Sequence, residues 1–136
     1  MNSHIQVYLH LVWGTWNRDE IILPSFEREL WGELRNLVEK QGCRLLALGG
    51  TGNHVHLLVQ FNATQTIADF VQILKGGSSI WVNEKVRPNL FFKWQGAYGA
   101  FSVGHREVPE IIGYIKKQKQ HHANGTTTVG YETTNN

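Results

Sequence analysis

The chain has one cysteine, Cys43, in 136 residues. That excludes an internal disulfide framework and any cysteine-rich zinc module. Its setting, Cys-Arg-Leu-Leu-Ala-Leu (43–48), reads as strand, so Cys43 is expected to pack rather than react. No apolar run reaches the length of a membrane span. The first residues mix hydrophobes with His, Gln and Tyr, which is not the pattern of a signal peptide. These features point to a reducing cytoplasm. The chain is short enough for one domain, and its 41% hydrophobic content suffices for a core.

Net charge is also scarce, at +2, but its distribution is uneven. Between Lys75 and Lys119 there are eight Lys/Arg (75, 85, 87, 93, 106, 116, 117, 119) against three acids (84, 107, 110). The first sixty residues carry five basic and six acidic groups. A basic C-terminal half suits a polyanionic partner, although an ordinary solvated helix surface has the same look.

Hydrophobic periodicity gives the order of elements. Ile5 to Thr15 reads as a strand rich in aromatic and β-branched residues. Pro24 to Lys40 reads as a helix with Ser25 as a cap, a stripe of Phe26, Leu30, Leu34, Leu37 and Val38, and Gly42 at its end. Cys43 to Leu48 is a second strand, residues 49–53 a turn, and His54 to Phe61 a third strand. Thr66 to about Glu84 is a second helix with Ile67, Phe70, Val71, Leu74, Ile80 and Trp81 as its apolar face, weakened by Gly76-Gly77. Pro88 falls in a loop, Ala97 to Val103 is the last strand, and Pro109 to His122 is a final helix.

The resulting βαββαβ order is that of the split-βαβ, ferredoxin-like arrangement, an α+β fold. An antiparallel sheet would carry two helices on one face, with the C-terminal helix added. Its first and third strands would be neighbours. Ile5, Val7, Leu9, Leu11 and Trp13, with Val55, Leu57, Val59 and Phe61, would face the helix pair. His4, Gln6, Tyr8 and His10, with His54, His56, Leu58 and Gln60, would share the opposite face.

Two motifs on that framework carry chemistry. In Gly-Asn-His-Val-His-Leu-Leu-Val (52–59), strand alternation puts His54 and His56 on one face, half of a divalent-metal site. The spacing alone equally fits one hydrogen-bonded and one exposed histidine. In the final helix, Tyr114 and Gln118 are four apart and project together. A phenol is a nucleophile and an amide oxygen is a hard metal ligand. A helical Tyr is also commonly a core residue, and a helical Gln commonly solvated. Tyr98 is a competing nucleophile on a predicted strand with no ligand near it in sequence. Of the tryptophans, Trp16 and Trp94 are expected to be more exposed than Trp13 and Trp81, and suited to stack on unpaired bases. His10 suits either a structural role or support of the histidine pair, and Arg18 a phosphate contact or a solvated loop charge.

His-hydrophobe-His on a strand followed by a Tyr-x-x-x-Gln helix resembles the single-tyrosine HUH transposases of the insertion sequence 200/605 family, with the REP-associated tyrosine transposases as relatives. The likeness extends to Tyr8-Leu9-His10-Leu11-Val12-Trp13, Leu74-Lys75-Gly76-Gly77-Ser78-Ser79, Lys93-Trp94-Gln95-Gly96-Ala97-Tyr98 and Gln118-Lys119-Gln120-His121-His122, and covers about residues 4–122. It implies a catalytic domain over 1–122 that cuts and rejoins single-stranded or hairpin DNA. The enzyme would work as a homodimer in the bacterial or archaeal cytoplasm, near the nucleoid. His54, His56 and Gln118 would hold Mg²⁺ or Mn²⁺, Tyr114 would attack phosphorus, and a 5′-phosphotyrosine and a free 3′-hydroxyl would result. His10, Arg18, Lys75, Lys93, Lys116 and Lys117 are candidates for supporting the ligands or touching DNA. The last strand would be a sheet edge, and pairing across it would let the tyrosine helix complete a partner's site.

The chain departs from the family after His122, where a Thr/Asn/Gly-rich stretch (123–136) is expected to form a polar, mobile tail. A non-catalytic or domesticated DNA- or RNA-hairpin binding protein on the same fold is the alternative. A relaxase or replication initiator is disfavoured by the short length.

Overall fold

A computed structural model of the chain describes residues 3–86 and 91–119. The elements are β1 (Tyr8–Gly14), α1 (Glu27–Lys40), β2 (Arg44–Gly50), β3 (His54–Gln60), α2 (Ile67–Trp81), β4 (Gly99–Val103) and α3 (Val108–Lys116). All strand pairs are antiparallel, in the order β2-β3-β1-β4. This is the expected α+β arrangement, with β1 beside β3. β4 is an edge strand.

Side-chain alternation divides the sheet. Leu9, Leu11 and Trp13 of β1, with Val55, Leu57 and Val59 of β3, pack against Leu30, Leu34 and Val38 of α1 and Phe70, Val71 and Leu74 of α2. Tyr8, Ala47, Leu58 and Val103 turn the other way and meet Ile111 and Ile115 of α3. The α1 and α2 face is called the rear here, and the α3 face the front. At the rear, α2 approaches α1 closely at Gly77, where a Cβ would stand 3.0 Å from a methyl of Leu37. Gly77 therefore serves a helix contact, while a Cβ at Gly76 would meet open space, and α2 continues through both.

Several boundaries differ from the sequence reading. β1 begins at Tyr8, and Ile5 and Val7 are 43% and 45% exposed, so residues 4–7 do not extend either face. α1 begins after Phe26, whose side chain makes no capping bond, so Ser25 is not the cap. Ile67 and Ile80 are exposed, because the buried stripe of α2 is Phe70, Val71, Leu74 and Ser78. Thr66 caps α2 by accepting from the amide of Asp69 at 3.2 Å. After Trp81 the chain passes into a wider π-turn, Val82–Val86, instead of continuing as α-helix. β4 starts at Gly99, two residues later than expected.

The most consequential difference is in β2, which runs through Gly49 and Gly50 instead of turning there. Gly49 pairs with His56 and Gly50 with Val55. A Cβ at Gly49 would stand 2.3 Å from the carbonyl oxygen of Ile115. The missing side chain lets the α3 backbone lie against the strand beside His56. Pro88 and residues 120–136, including the expected tail, lie outside the described residues.

Candidate functional site

The front face gathers polar groups that a core normally excludes. His10, His54, His56 and Gln118 are each at most 1% exposed, and Tyr114 is 7% exposed. Buried polar side chains need partners, and here they are partners for one another.

His54 and His56 share a face because they are two apart on β3, and their rings lie 5.2 Å apart, centroid to centroid. Each ring is gripped from behind. His54 Nδ1 lies 2.9 Å from Asn53 Oδ1 and 2.8 Å from Thr51 Oγ1. His56 Nδ1 lies 2.8 Å from His10 Nε2, across the sheet on β1. With both Nδ1 atoms engaged, ligation falls to the Nε2 atoms. This is the usual way that a supporting partner fixes the tautomer and aim of a metal-binding histidine.

The opposite wall is α3. Pro109 occupies its first turn, and Ile111, Tyr114 and Ile115 form its buried stripe. One further step along that stripe comes Gln118. The regular helix is interrupted after Lys116: Lys117 has φ −107° and ψ 25°, Gln118 and Lys119 are helical again, and the rest of the expected span to His122 lies outside the described residues. Its amide nitrogen donates to the Tyr114 carbonyl at 3.2 Å, and its Oε1 lies 3.2 Å from His54 Nε2. The Tyr114 ring meets that of His56 edge-on, with 5.9 Å between centroids. Within one chain, then, α3 brings Tyr114 and Gln118 to that same chain's histidine pair.

These donors suit a divalent cation. Two donor atoms that share an ion at about 2.1 Å lie about 3 Å apart, which is the separation of His54 Nε2 and Gln118 Oε1. Among the described residues no group of three or more His, Cys, Asp or Glu gathers as a metal cage. An ion here would therefore take two imidazoles and an amide oxygen.

Of the other candidates, His10 is inside the site. Lys116 and Lys117 are exposed on its rim, and with Gln118, Lys119, Trp31 and Gly49 they line a cleft of about 360 Å³. Lys119 pairs with Glu27 of α1 and donates to the Gly50 carbonyl at 3.2 Å, tying the end of α3 down. Lys75 does not join the site. It belongs to α2 at the rear, donates to the Gln95 and Ala97 carbonyls, and burial lowers its pKa. Its role is to fasten the approach to β4. Tyr98 lines a cleft with Lys75 on the α2 side. Trp94 is 4% exposed and donates to Ser78 Oγ at 2.9 Å, so it cannot stack on a base. Arg18 and Lys93 lie by the chain leaving β1. Thr51 and Asn53 were missed by the sequence reading, which saw only a turn. Their signal was an amide side chain directly before His-x-His.

A family model for IS200-like transposases matches residues 3–118. The chain belongs to the IS200-like transposase family. Among relatives of this transposase, the ISDra2 transposase of Deinococcus radiodurans is 26% identical over 83% of this chain and 84% of its own length. The transposase for insertion sequence element IS200 of Salmonella typhimurium is 28% identical over 80% of this chain and 74% of its own. A crystal structure assigned as a transposase from Deinococcus radiodurans superimposes with a TM-score of 0.70 at 26% identity, covering 87% of this chain and 95% of that one. A REP-associated tyrosine transposase bound to a REP hairpin shares the fold, with a TM-score of 0.66 at 12% identity over 93% of this chain and 74% of that one. Among the described residues no helix is long and apolar enough to cross a membrane.

Proposed function

We propose that this transposase cuts and rejoins single-stranded DNA through a covalent bond to Tyr114, with a divalent cation, Mg²⁺ or Mn²⁺, held by His54, His56 and Gln118. The observation that carries the reading is the convergence of the four side chains in one buried site, with His54 Nε2 and Gln118 Oε1 3.2 Å apart and the Tyr114 ring against His56. A bound cation would offset negative charge on the phosphate as phosphorus is attacked.

The protein's own groups account for the rest. The Tyr114 phenol gives up its proton and its oxygen bonds to phosphorus. The bond from phosphorus to the 3′ oxygen breaks, and that oxygen leaves as a hydroxyl after taking a proton. One phosphodiester replaces another, so the step is reversible and needs no ATP. Lys116 and Lys117, exposed on the rim of the site, place positive charge where a DNA phosphate would approach. His10, Asn53 and Thr51 hold the two imidazoles in place. The catalytic domain is assigned to residues 1–122. The DNA is taken to carry a hairpin, as it does in the hairpin-bound relative. Pairing between β4 edges of two copies is the route to a homodimer.

The test is incubation with single-stranded, hairpin-bearing oligonucleotides and Mn²⁺ or Mg²⁺, followed by denaturing electrophoresis. A protein–DNA adduct is expected from the native chain, none from Tyr114→Phe, and none with chelator. Tight hairpin binding without an adduct under any of these metal conditions would favour a non-catalytic hairpin-binding protein instead.

A further inference from the structure

The segment that leaves β1 has no assigned task. Gly14, the last residue of β1, pairs with His54, so the two share the front face. A Cβ on Gly14 would stand 2.8 Å from Gln95 Oε1 and 3.2 Å from Arg18 Nη1. The bare glycine is thus roofed by an amide and a guanidinium, beside the histidine pair.

The turn that delivers Arg18 is unusual. Asn17 and Arg18 both have positive φ, 60° and 57°, a conformation that residues with a Cβ mostly avoid. It is held by specific bonds. Thr15 Oγ1 donates to the Asp19 carbonyl at 2.6 Å, and Asn53 Nδ2 reaches the Arg18 carbonyl at 3.5 Å. The Trp16 amide donates to the Lys93 carbonyl at 2.8 Å. Asn53 is the residue whose other side-chain atom holds His54. One side chain therefore ties the strained turn to the site.

The same turn displays Trp16. Its indole is 51% exposed while Trp13 and Trp94 are buried. Lys93 Nζ stands 4.2 Å from the centre of the Trp16 ring. An open indole with a cation over its ring, on the same short turn as an arginine, is the chemistry that binds a nucleobase and its phosphate.

We propose that this turn seats one unpaired nucleotide of the DNA strand, with its base stacked on Trp16 and its phosphate against Arg18. The proposal rests on the single-strand reading above and adds where the strand enters the site. A base inside a duplex is stacked on both sides, so it has no face to offer Trp16. The seat thus selects single strands without reading sequence.

The experiment uses the full chain and two probes, fluorescent oligothymidylate and its photoreactive 5-iododeoxyuridine counterpart. Trp16→Ala should weaken oligothymidylate binding by about 5- to 150-fold, the range for losing one base–aromatic stack. Trp16→Phe should restore most of it. Arg18→Gln should lower the salt slope of log affinity by about 0.7, one phosphate's share on a single strand. Photocrosslinks should map to the Trp16 peptide and vanish when the strand is annealed to its complement. Unchanged affinity in Trp16→Ala, crosslinks only elsewhere, or equal crosslinking by the duplex would each overturn the proposal. Adduct formation is scored separately. Crosslinking at Trp16 without any covalent adduct keeps the seat and removes the nuclease. An adduct with Trp16→Ala binding unchanged removes the seat and keeps the nuclease.

Discussion

At the rear of the sheet, Leu11, Trp13, Val55 and Leu57 interlock with Leu30, Leu34, Phe70 and Leu74, and all eight are sealed from solvent. At the front, His10, His54 and His56 are buried just as deeply, but they face one nine-residue helix bearing Tyr114 and, past its end, Gln118. Burial of an apolar side chain contributes about 1.5–3 kcal/mol. Burial of a polar one costs stability unless its bonds are replaced. The rear face therefore holds the fold together. The front face concentrates the polar groups of the proposed site, and it is covered by a single short element. Substitutions on the two faces should consequently fail in different assays.

The largest effect is expected on the front. His54→Ala/His56→Ala and Tyr114→Phe should each cut adduct formation by at least about 1,000-fold, as loss of several kcal/mol of transition-state stabilisation implies. The urea midpoint of Tyr114→Phe should stay near that of the native chain, and the double histidine variant should still unfold cooperatively, at a lower midpoint because it leaves His10 and Gln118 short of partners. A double histidine variant that still forms the adduct would remove the metal from the mechanism.

The opposite pattern is expected at the rear. Leu57→Ala and Leu34→Ala remove fully buried side chains and should cost about 2–5 kcal/mol in denaturant unfolding. The fraction that stays folded should cut DNA at the native rate. A fall in rate per folded molecule would show that the faces are not independent.

Gly49→Ala probes the seam between them. Its methyl would collide with the Ile115 carbonyl, 2.3 Å away, so α3 must lift from β2. Tyr114 and Gln118 move with it. A displacement of about 1 Å in a reacting group can cost about 100-fold in rate. The sheet behind should persist, read as native circular dichroism and an unchanged hydrophobic core by NMR. Native activity in this variant would mean that the tyrosine helix need not dock on its own chain.

That seam also marks where sequence patterns stopped being informative. The strand and helix order followed from hydrophobic periods, because rear-face residues obey them. The histidine pair and Tyr114/Gln118 followed from periods of two and four. Gly49-Gly50 was misread as a turn because glycine reports only that a side chain is absent. It does not reveal whether the vacancy serves a bend or the approach of another backbone. Trp94 was misread as exposed because its burial depends on Ser78, sixteen residues away, accepting its indole proton. The partners of His54 and His56 were invisible or ambiguous for a similar reason. Asn53 looked like turn chemistry, and His10 comes to His56 only through the β1–β3 register.

His10 offers a finer test of the front face. Removing a group that orients a ligating histidine typically costs about 10- to 100-fold in metal affinity. His10→Ala should show that loss in Mn²⁺ titrations, with Mn²⁺ still preferred to Mg²⁺ because imidazole favours the softer ion. Unaltered Mn²⁺ affinity would reduce His10 to a packing residue.

The smallest effect should come from the rear face and from alkaline pH. Cys43 lies in the rear core, and burial pushes its thiol up from the ordinary value, against a smaller lowering by the Asn62 backbone. Above about pH 8.5 the unfolded chain loses its thiol proton while the folded chain keeps it. The folded state then binds more protons, so stability is full below that pH and declines as pH rises through the folded value. Lys75 acts in the opposite sense. Burial lowers its pKa, so between the lowered value and about 10.4 the unfolded chain binds more protons and stability rises with pH. The native chain shows only the difference of the two. Urea midpoints compared at about pH 7.5 and about pH 10 in Cys43→Ala and Lys75→Met separate them. Cys43→Ala should abolish the decline, and Lys75→Met should deepen it. Identical pH dependence in both variants and the native chain would show that neither group couples to folding. The same series in His54→Ala/His56→Ala should retain the alkaline behaviour of the native chain, because both groups sit behind the sheet.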